Sequence, residues 1–367
     1  MNHLTPIIYT TDKCNMACKY CYTGCHLSDA PDIDIINKKF TRNVPILKEF
    51  TDMIMLYNNG TPTRFIFHGG EPLLICPENY RVILEFFKDK GYSIETHIQT
   101  NGTLIDDHFI DLFKEFKIKI GVSLDGLASI NDRTRIFRSG KGTFSTIFRN
   151  LMRLKEEGIS FGCLLTLSKS NINNLEESYN FFKKYSIPFN IRQIFKSTHP
   201  NLEELLITPV EYATAICNLF DIWFDDETDE FLINEFAGLI AQFIKPIEGL
   251  VSCSFTKDCP RHFISFDLDG NLCPCNRLYG INCFSYGNIQ NNDLLKILNN
   301  SCAKDLSDRW PTLENTECKN CSIARYCNGG CPGNGYFYFD SYFKKDYFCD
   351  AYKRIMTHVY DKVRSTL

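Results

Sequence analysis

Residues 14–21 read CNMACKYC, two residues after an apolar run, PIIYTT at 6–11, that reads as a first strand. Cys14, Cys18 and Cys21 stand at C-x3-C-x2-C spacing. A closed zinc site and a fully ligated cubane iron–sulfur cluster each take four protein ligands. Three thiolates on a cubane leave one iron open to a small molecule. Cys25 lies four residues further on and keeps the alternative open: a zinc site, or a cluster that it completes.

Working outward, short apolar strands alternate with amphipathic helices as far as about residue 195. RFIFHGG (64–70), SIETHIQTNG (93–102), IKIGVSLDG (118–126), FGCLLTLS (161–168) and IPFNIRQ (187–193) read as strands or strand ends. Ile118, Ile120, Val122 and Leu124 alternate as a strand requires. Tyr80, Ile83, Leu84 and Phe87 share one helical face, with Pro77 near its start and Gly91 just past its end. Phe144, Ile147, Phe148 and Leu151 share another, with Thr143 as the expected cap and Gly158 as the stop. Repeated β-then-α units predict a parallel sheet, as an α/β barrel or a doubly wound sheet. Such sheets carry their chemistry at the carboxyl ends of the strands. The segments TTDKCNMAC, HGGEP, QTNG and SLDG all fall there.

The composition bounds the function class. The chain has 367 residues, 44% hydrophobic and 23% charged, which is globular rather than disordered. A net charge of −4 gives no electrostatic case for nucleic acid or an anionic membrane. The N-terminal stretch lacks the pattern of a signal peptide, and no uninterrupted apolar run reaches a membrane span. The expectation is a cytoplasmic protein with no nucleic-acid and no membrane partner. The 18 cysteines are clustered: four lie between 14 and 25, and eleven lie from 253 to 349. In a reducing compartment that density points to metal or redox chemistry.

With Tyr22 following it, the Cys14–Cys21 motif resembles the signature of radical S-adenosylmethionine (SAM) enzymes. In that family SAM fills the open iron through its amino and carboxylate groups. One electron then cleaves it to methionine and a 5′-deoxyadenosyl radical, which takes a hydrogen atom from an unactivated C–H bond. Gly69-Gly70-Glu71-Pro72 resembles the family's GGEP segment, which meets the SAM amino group. The resemblance implies that Ser123 contacts the SAM ribose and Arg135 its carboxylate. Gln99, Asn101 and Asp125, in QTNG and SLDG, are the further expected cofactor residues. It covers residues 6 to about 195 and implies a partial (β/α)6 barrel, TIM-like.

The C-terminal cysteines form a dense ligand array that resembles the SPASM domain, which carries two auxiliary [4Fe–4S] clusters. The resemblance assigns Cys253, Cys259, Cys275 and Cys331 to the first, and Cys318, Cys321, Cys327 and Cys349 to the second. With SAM as cofactor, three [4Fe–4S] clusters are expected. Fully ligated auxiliary clusters suit electron transfer or a structural role; structural zinc is the alternative. Cys273 stands two residues from Cys275 and competes for its place. Cys76, Cys163, Cys217 and Cys302 read as buried small hydrophobes, whereas Cys25 and Cys283 have no assigned role. The expected division is a radical SAM partial barrel over 1–205, a helical connector over 206–250, and over 251–367 a SPASM domain with little regular structure and a closing C-terminal helix.

The whole chain looks most like the anaerobic sulfatase-maturating enzymes, which oxidise a Cys or Ser of a sulfatase peptide to formylglycine. Two positions depart from them. The maturases have a basic Asp directly after the counterpart of Cys275, where this chain has Asn276, and a neutral amide cannot serve as a general base. They usually have Gln before GGEP, where this chain has His68. His68 and Tyr22 are weak catalytic candidates. The departures favour a radical SAM/SPASM enzyme that modifies a residue of a peptide or protein differently, as in the thioether or C–C crosslinks of ribosomal peptides. Sulfatase maturation is the first alternative, and a non-catalytic iron–sulfur or zinc protein the second. With the motif at residue 14 of this sequence, the expectation is that no peptide-recognition domain stands ahead of it. A reductant such as ferredoxin or flavodoxin is the expected partner.

Overall fold

A computed structural model of the chain describes residues 3–24, 29–198, 202–226, 231–244 and 252–366. Cys25 therefore lies outside the described residues. The strands are β1 (Thr5–Tyr9), β2 (Thr63–His68), β3 (Ile94–Thr100), β4 (Lys119–Ser123), β5 (Phe161–Leu167), β6 (Phe189–Gln193), β7 (Phe263–Asp267), β8 (Asn271–Cys273) and β9 (Gly287–Asn288). The residues gather into two compact units. One holds 1–124, 135–162 and 260–304; the other holds 125–134, 163–259 and 305–367. These units cut across the division expected from the sequence.

In the first unit the strands stand in the order β4-β3-β2-β1-β7-β8-β9. β1 to β4 pair in parallel, with Tyr9 opposite His68 and Ile98 opposite Ile120. β-then-α connections produce this: helices Ile33–Tyr57, Pro77–Asp89 and Asp107–Glu115 separate the strands. Helix Pro77–Asp89 buries Tyr80, Ile83, Leu84 and Phe87, the face its spacing predicts. Ile118, Ile120, Val122 and Leu124 are likewise buried. Helix Phe144–Glu156 forms as expected, but its cap does not. The Thr143 hydroxyl donates instead to the Arg135 carbonyl at 2.9 Å. Phe144 and Phe148 stack on each other, half-buried, and the deep residues are Ile147, Leu151 and Leu154.

β7 pairs in parallel with β1, Thr5 opposite Phe263 and Tyr9 opposite Asp267. Phe266 is fully buried and stacks on Phe50 of helix Ile33–Tyr57, ring centroids 4.2 Å apart. β8 and β9 continue antiparallel. The Asp267 carboxylate fixes the β7–β8 turn by accepting from Asp269 N and Asn271 N, both at 2.9 Å, and from the Tyr279 hydroxyl. Little regular structure was the expectation for 251–367, and here it is corrected. The region supplies three strands, and helices Ser301–Asn315 and Cys349–Ser365. Short strands rich in Asn and Cys carry little pattern of their own and are ordered by the edge they join.

In the second unit β5 and β6 pair in parallel, Leu165 opposite Ile191. Helix Pro209–Phe224 opens with a full capping box between Thr208 and Glu211. By length and composition alone, Glu203–Phe224 would pass for a membrane span. Its apolar residues serve a core instead: Ala213, Ile216, Cys217, Leu219 and Phe220 are buried. Helix Cys349–Ser365 is tied to it by His358–Asp221 at 2.8 Å, Lys362–Asp225 at 2.8 Å and Arg354–Thr214 at 3.0 Å.

Candidate functional site

The loop that leaves β1 carries Cys14, Cys18 and Cys21, and the loop that leaves β2 is laced to it. Thr10 N donates to His68 O, Gly70 N to Thr11 O at 2.6 Å, and Glu71 N to Lys13 O at 2.9 Å. This approach requires the first glycine. Gly69 has φ +133°, and a Cβ there would stand 2.6 Å from the Thr11 carbonyl oxygen. Glu71 is completely buried. Its Oε1 accepts from Leu73 N at 2.9 Å and the Thr100 hydroxyl at 2.6 Å, and its Oε2 from Asn101 N at 2.7 Å. Burial lifts its pKa to about 7 against those donors. The carboxylate thus braces the ends of β2 and β3, and the segment turns backbone toward the cysteine loop.

The three cysteines and Met16 form one small apolar cluster with Phe137. Two N–H groups point at the first sulfur: Met16 N at 3.4 Å and Asn101 Nδ2 at 3.7 Å from Cys14 Sγ. Asn101 also bonds Asn15 Oδ1 at 2.9 Å, and its own Oδ1 accepts from Thr103. Burial first, then the Glu71 charge, pushes the Cys14 thiol far up. A thiolate there needs a cation to compensate it, as an iron of a cluster would. Cys21 Sγ lies 3.0 Å from the Thr23 hydroxyl. Cover comes from 135–138: Ala17 N donates to Ile136 O at 2.8 Å and Arg138 Nε to Cys14 O at 3.0 Å. Arg135 is buried, its guanidinium 5.1 Å from the Tyr20 ring centre. At the end of β4, Gln99 Nε2 donates to the Ser123 hydroxyl at 3.3 Å. Gln99 lies across Gly121, where a Cβ would strike its amide.

Sequence reading missed Asn15, Tyr20, Thr103 and Arg138. Only the meeting of three loops makes them neighbours. Asp125 falls in the second unit, where its Oδ1 accepts from Thr166 N at 3.0 Å and its backbone carbonyl from Ser178. His68 Nδ1 accepts from Gly69 N at 2.7 Å, and burial lowers its pKa to about 4, so the ring is neutral with its proton on Nε2. Tyr22 is half-buried. Asn276 is buried and accepts from the Ser265 hydroxyl at 3.1 Å.

In the second unit Cys318, Cys321, Cys327 and Cys349 lie close enough to perturb one another. Burial raises the Cys327 thiol strongly and Cys349 to about 11. Cys253, Cys259 and Cys331 belong to this unit, and Cys275 to the other. Cys273 is buried and its thiol donates to Cys275 O at 3.5 Å, while Cys283 is exposed. Cys163, Cys217 and Cys302 are buried as expected, but Cys76 is only half-buried, at the start of a helix. Among the described residues no three His, Cys, Asp or Glu side chains converge as a single-ion cage. A cubane spreads its ligands wider, each on a different iron.

A sequence profile described as "Radical SAM superfamily" matches residues 8–182, and one described as "Iron-sulfur cluster-binding domain", SPASM, matches 253–322. Together they span more than half of the chain. The chain belongs to the radical SAM superfamily and carries a SPASM domain. Membership brings S-adenosylmethionine and [4Fe–4S] clusters as its cofactors. The chain is 25% identical over 366 residues to a serine-type anaerobic sulfatase-maturating enzyme of Bacteroides thetaiotaomicron, covering 94% of this chain and 86% of that one. It is 27% identical over 357 residues to a cysteine-type enzyme of Clostridium novyi, covering 94% and 91%. Among solved structures, native anSMEcpe with bound AdoMet and Cp18Cys peptide matches 99% of this chain and 98% of its own, with TM-score 0.81 and 24% identity. That likeness establishes the fold, a radical SAM partial barrel with a SPASM domain.

Proposed function

We propose that the protein takes a hydrogen atom from a Cys or Ser of a peptide or protein and oxidises it to formylglycine, the sulfatase maturation that its resemblance to anaerobic sulfatase-maturating enzymes implies. The observation that carries this is the likeness to both maturase types over nearly the whole chain. When bound, S-adenosylmethionine and the reduced cluster supply a radical that can attack an unactivated C–H bond.

In this reading Cys14, Cys18 and Cys21 hold the SAM cluster, with the N–H groups of Met16 and Asn101 on the first sulfur. The backbone at Gly69, Gly70 and Glu71 meets the SAM amino group. Buried Arg135 offers a planar donor pair to its carboxylate, and Ser123, held by Gln99, meets the ribose. Cys253, Cys259 and Cys331 serve one auxiliary cluster, and Cys318, Cys321, Cys327 and Cys349 the other. Neutral His68 presents Nε2–H as a donor, not as a base. Ferredoxin or flavodoxin supplies the electron, in the cytoplasm.

A second reading rests on Asn276. Its amide cannot take up a substrate proton, so formylglycine formation needs another base. A crosslink, thioether or C–C, within a ribosomal peptide has no need of a base at that position. The test is anaerobic incubation of reconstituted protein with SAM, reductant and Cys- or Ser-type sulfatase peptides. A mass loss in a product that a hydrazide captures marks the aldehyde. 5′-Deoxyadenosine release with the peptides unchanged would discard maturation and leave the crosslink.

A further inference from the structure

Arg309, on helix Ser301–Asn315, is only 4% exposed, yet it makes no ion pair among the described residues. Its guanidinium bonds four backbone carbonyls: Tyr342 and Lys344 at 2.6 and 2.9 Å, Gly330 and Gly329 each at 2.8 Å. The last two form the turn between Cys327 and Cys331. There Gly330 N returns to Cys327 O at 3.0 Å, and Asp346 Oδ2 accepts from Cys331 N at 2.8 Å. A buried guanidinium held only by neutral dipoles is costly unless negative charge lies close by. The two glycine carbonyls it holds lie between Cys327 and Cys331, and the Asp346 carboxylate caps the same turn at Cys331 N. Asp346 is already committed to Cys331 N, Phe348 N and the Asn334 amide. The two cysteines that flank this turn belong to different auxiliary ligand sets: Cys331 to the first, Cys327 to the second.

We infer that Arg309 is a buried countercharge shared by the two auxiliary clusters, holding their reduction potentials up so that each can accept an electron. This rests on the ligand sets given above. A four-thiolate cluster is anionic and gains one more negative charge on reduction, so a fixed cation beside it favours the reduced state. Lys345, four residues before Cys349, is only partly buried. Arg309 is thus a positioning residue for the turn and an electrostatic one for the clusters.

The test is a redox titration of the reconstituted full chain followed by electron paramagnetic resonance, on wild type, Arg309→Gln and Arg309→Lys. In R309Q the ratio of reduced to oxidised auxiliary cluster at fixed potential falls about tenfold or more, a downward shift of about 59 mV for one electron. The signal of the SAM cluster stays where it was. R309K, which keeps the charge, stays near wild type. Loss of auxiliary iron in R309Q with retention in R309K also supports the charge role. Unmoved potentials in R309Q, or equal loss of potential or iron in both variants, overturn it. Failure of the ligand sets shows separately: wild type would then hold about four irons rather than about twelve.

Discussion

At Gly69 one missing side chain decides whether two loops can touch. Its φ of +133° and the Thr11 carbonyl 2.6 Å from where a Cβ would sit leave no room for alanine. Gly69→Ala is expected to cost about 1–3 kcal/mol and to lift the GGEP backbone off the cysteine loop. Denaturant unfolding should show the first effect and a rise in the SAM dissociation constant the second. The three cysteines give the sharper test. Cys14, Cys18 and Cys21 changed together to Ala should abolish 5′-deoxyadenosine release while about eight of about twelve irons remain. Retained cleavage would remove the assignment. The motif cysteines and the GGEP glycines stand out in the sequence because each set is a contiguous signature, whereas Arg135 comes from the resemblance alone. Asn101's bond to Cys14 Sγ is not legible there, because it depends on two strands ending side by side.

Among elements, helices and inner strands follow their apolar spacing closely. Helix Pro77–Asp89 buries the four residues its pattern names. Helix Pro209–Phe224 begins where Thr208-Pro209 says it should, and Glu211 completes the reciprocal cap. Thr208→Ala should lower stability by about 1 kcal/mol, read as a shift of the urea midpoint at unchanged slope. Thr143 sits at an equally plausible cap position, yet its hydroxyl serves Arg135 O. Whether a hydroxyl accepts from a helix N–H or donates to a distant carbonyl is decided by tertiary neighbours, which local sequence does not carry. β7 to β9 were illegible for the same reason. FISFD is five residues long, and its partner lies more than 250 positions away.

For the whole molecule, the expected compact units were contiguous, whereas both observed units are built from distant segments. Contiguity is what composition can suggest. Shared burial is decided by pairing, and here a strand from the cysteine-rich region joins the first strand of the barrel. A chain ending before Cys253 should therefore be insoluble, because it would leave the β1 edge bare and Phe50 without Phe266. Recovery of such a chain in the soluble fraction with an intact SAM cluster would refute this.

The same pairing sets an order of events during synthesis. β1 emerges from the ribosome more than 250 residues ahead of its neighbour β7. Until then the cysteine loop hangs from a strand with one side unpaired, a long-range closure of the kind that slows folding. In the proposed reading, cluster delivery to Cys14, Cys18 and Cys21 is thereby tied to completion of a region far downstream. A nascent chain that stalls before β7 is a chain unready for iron.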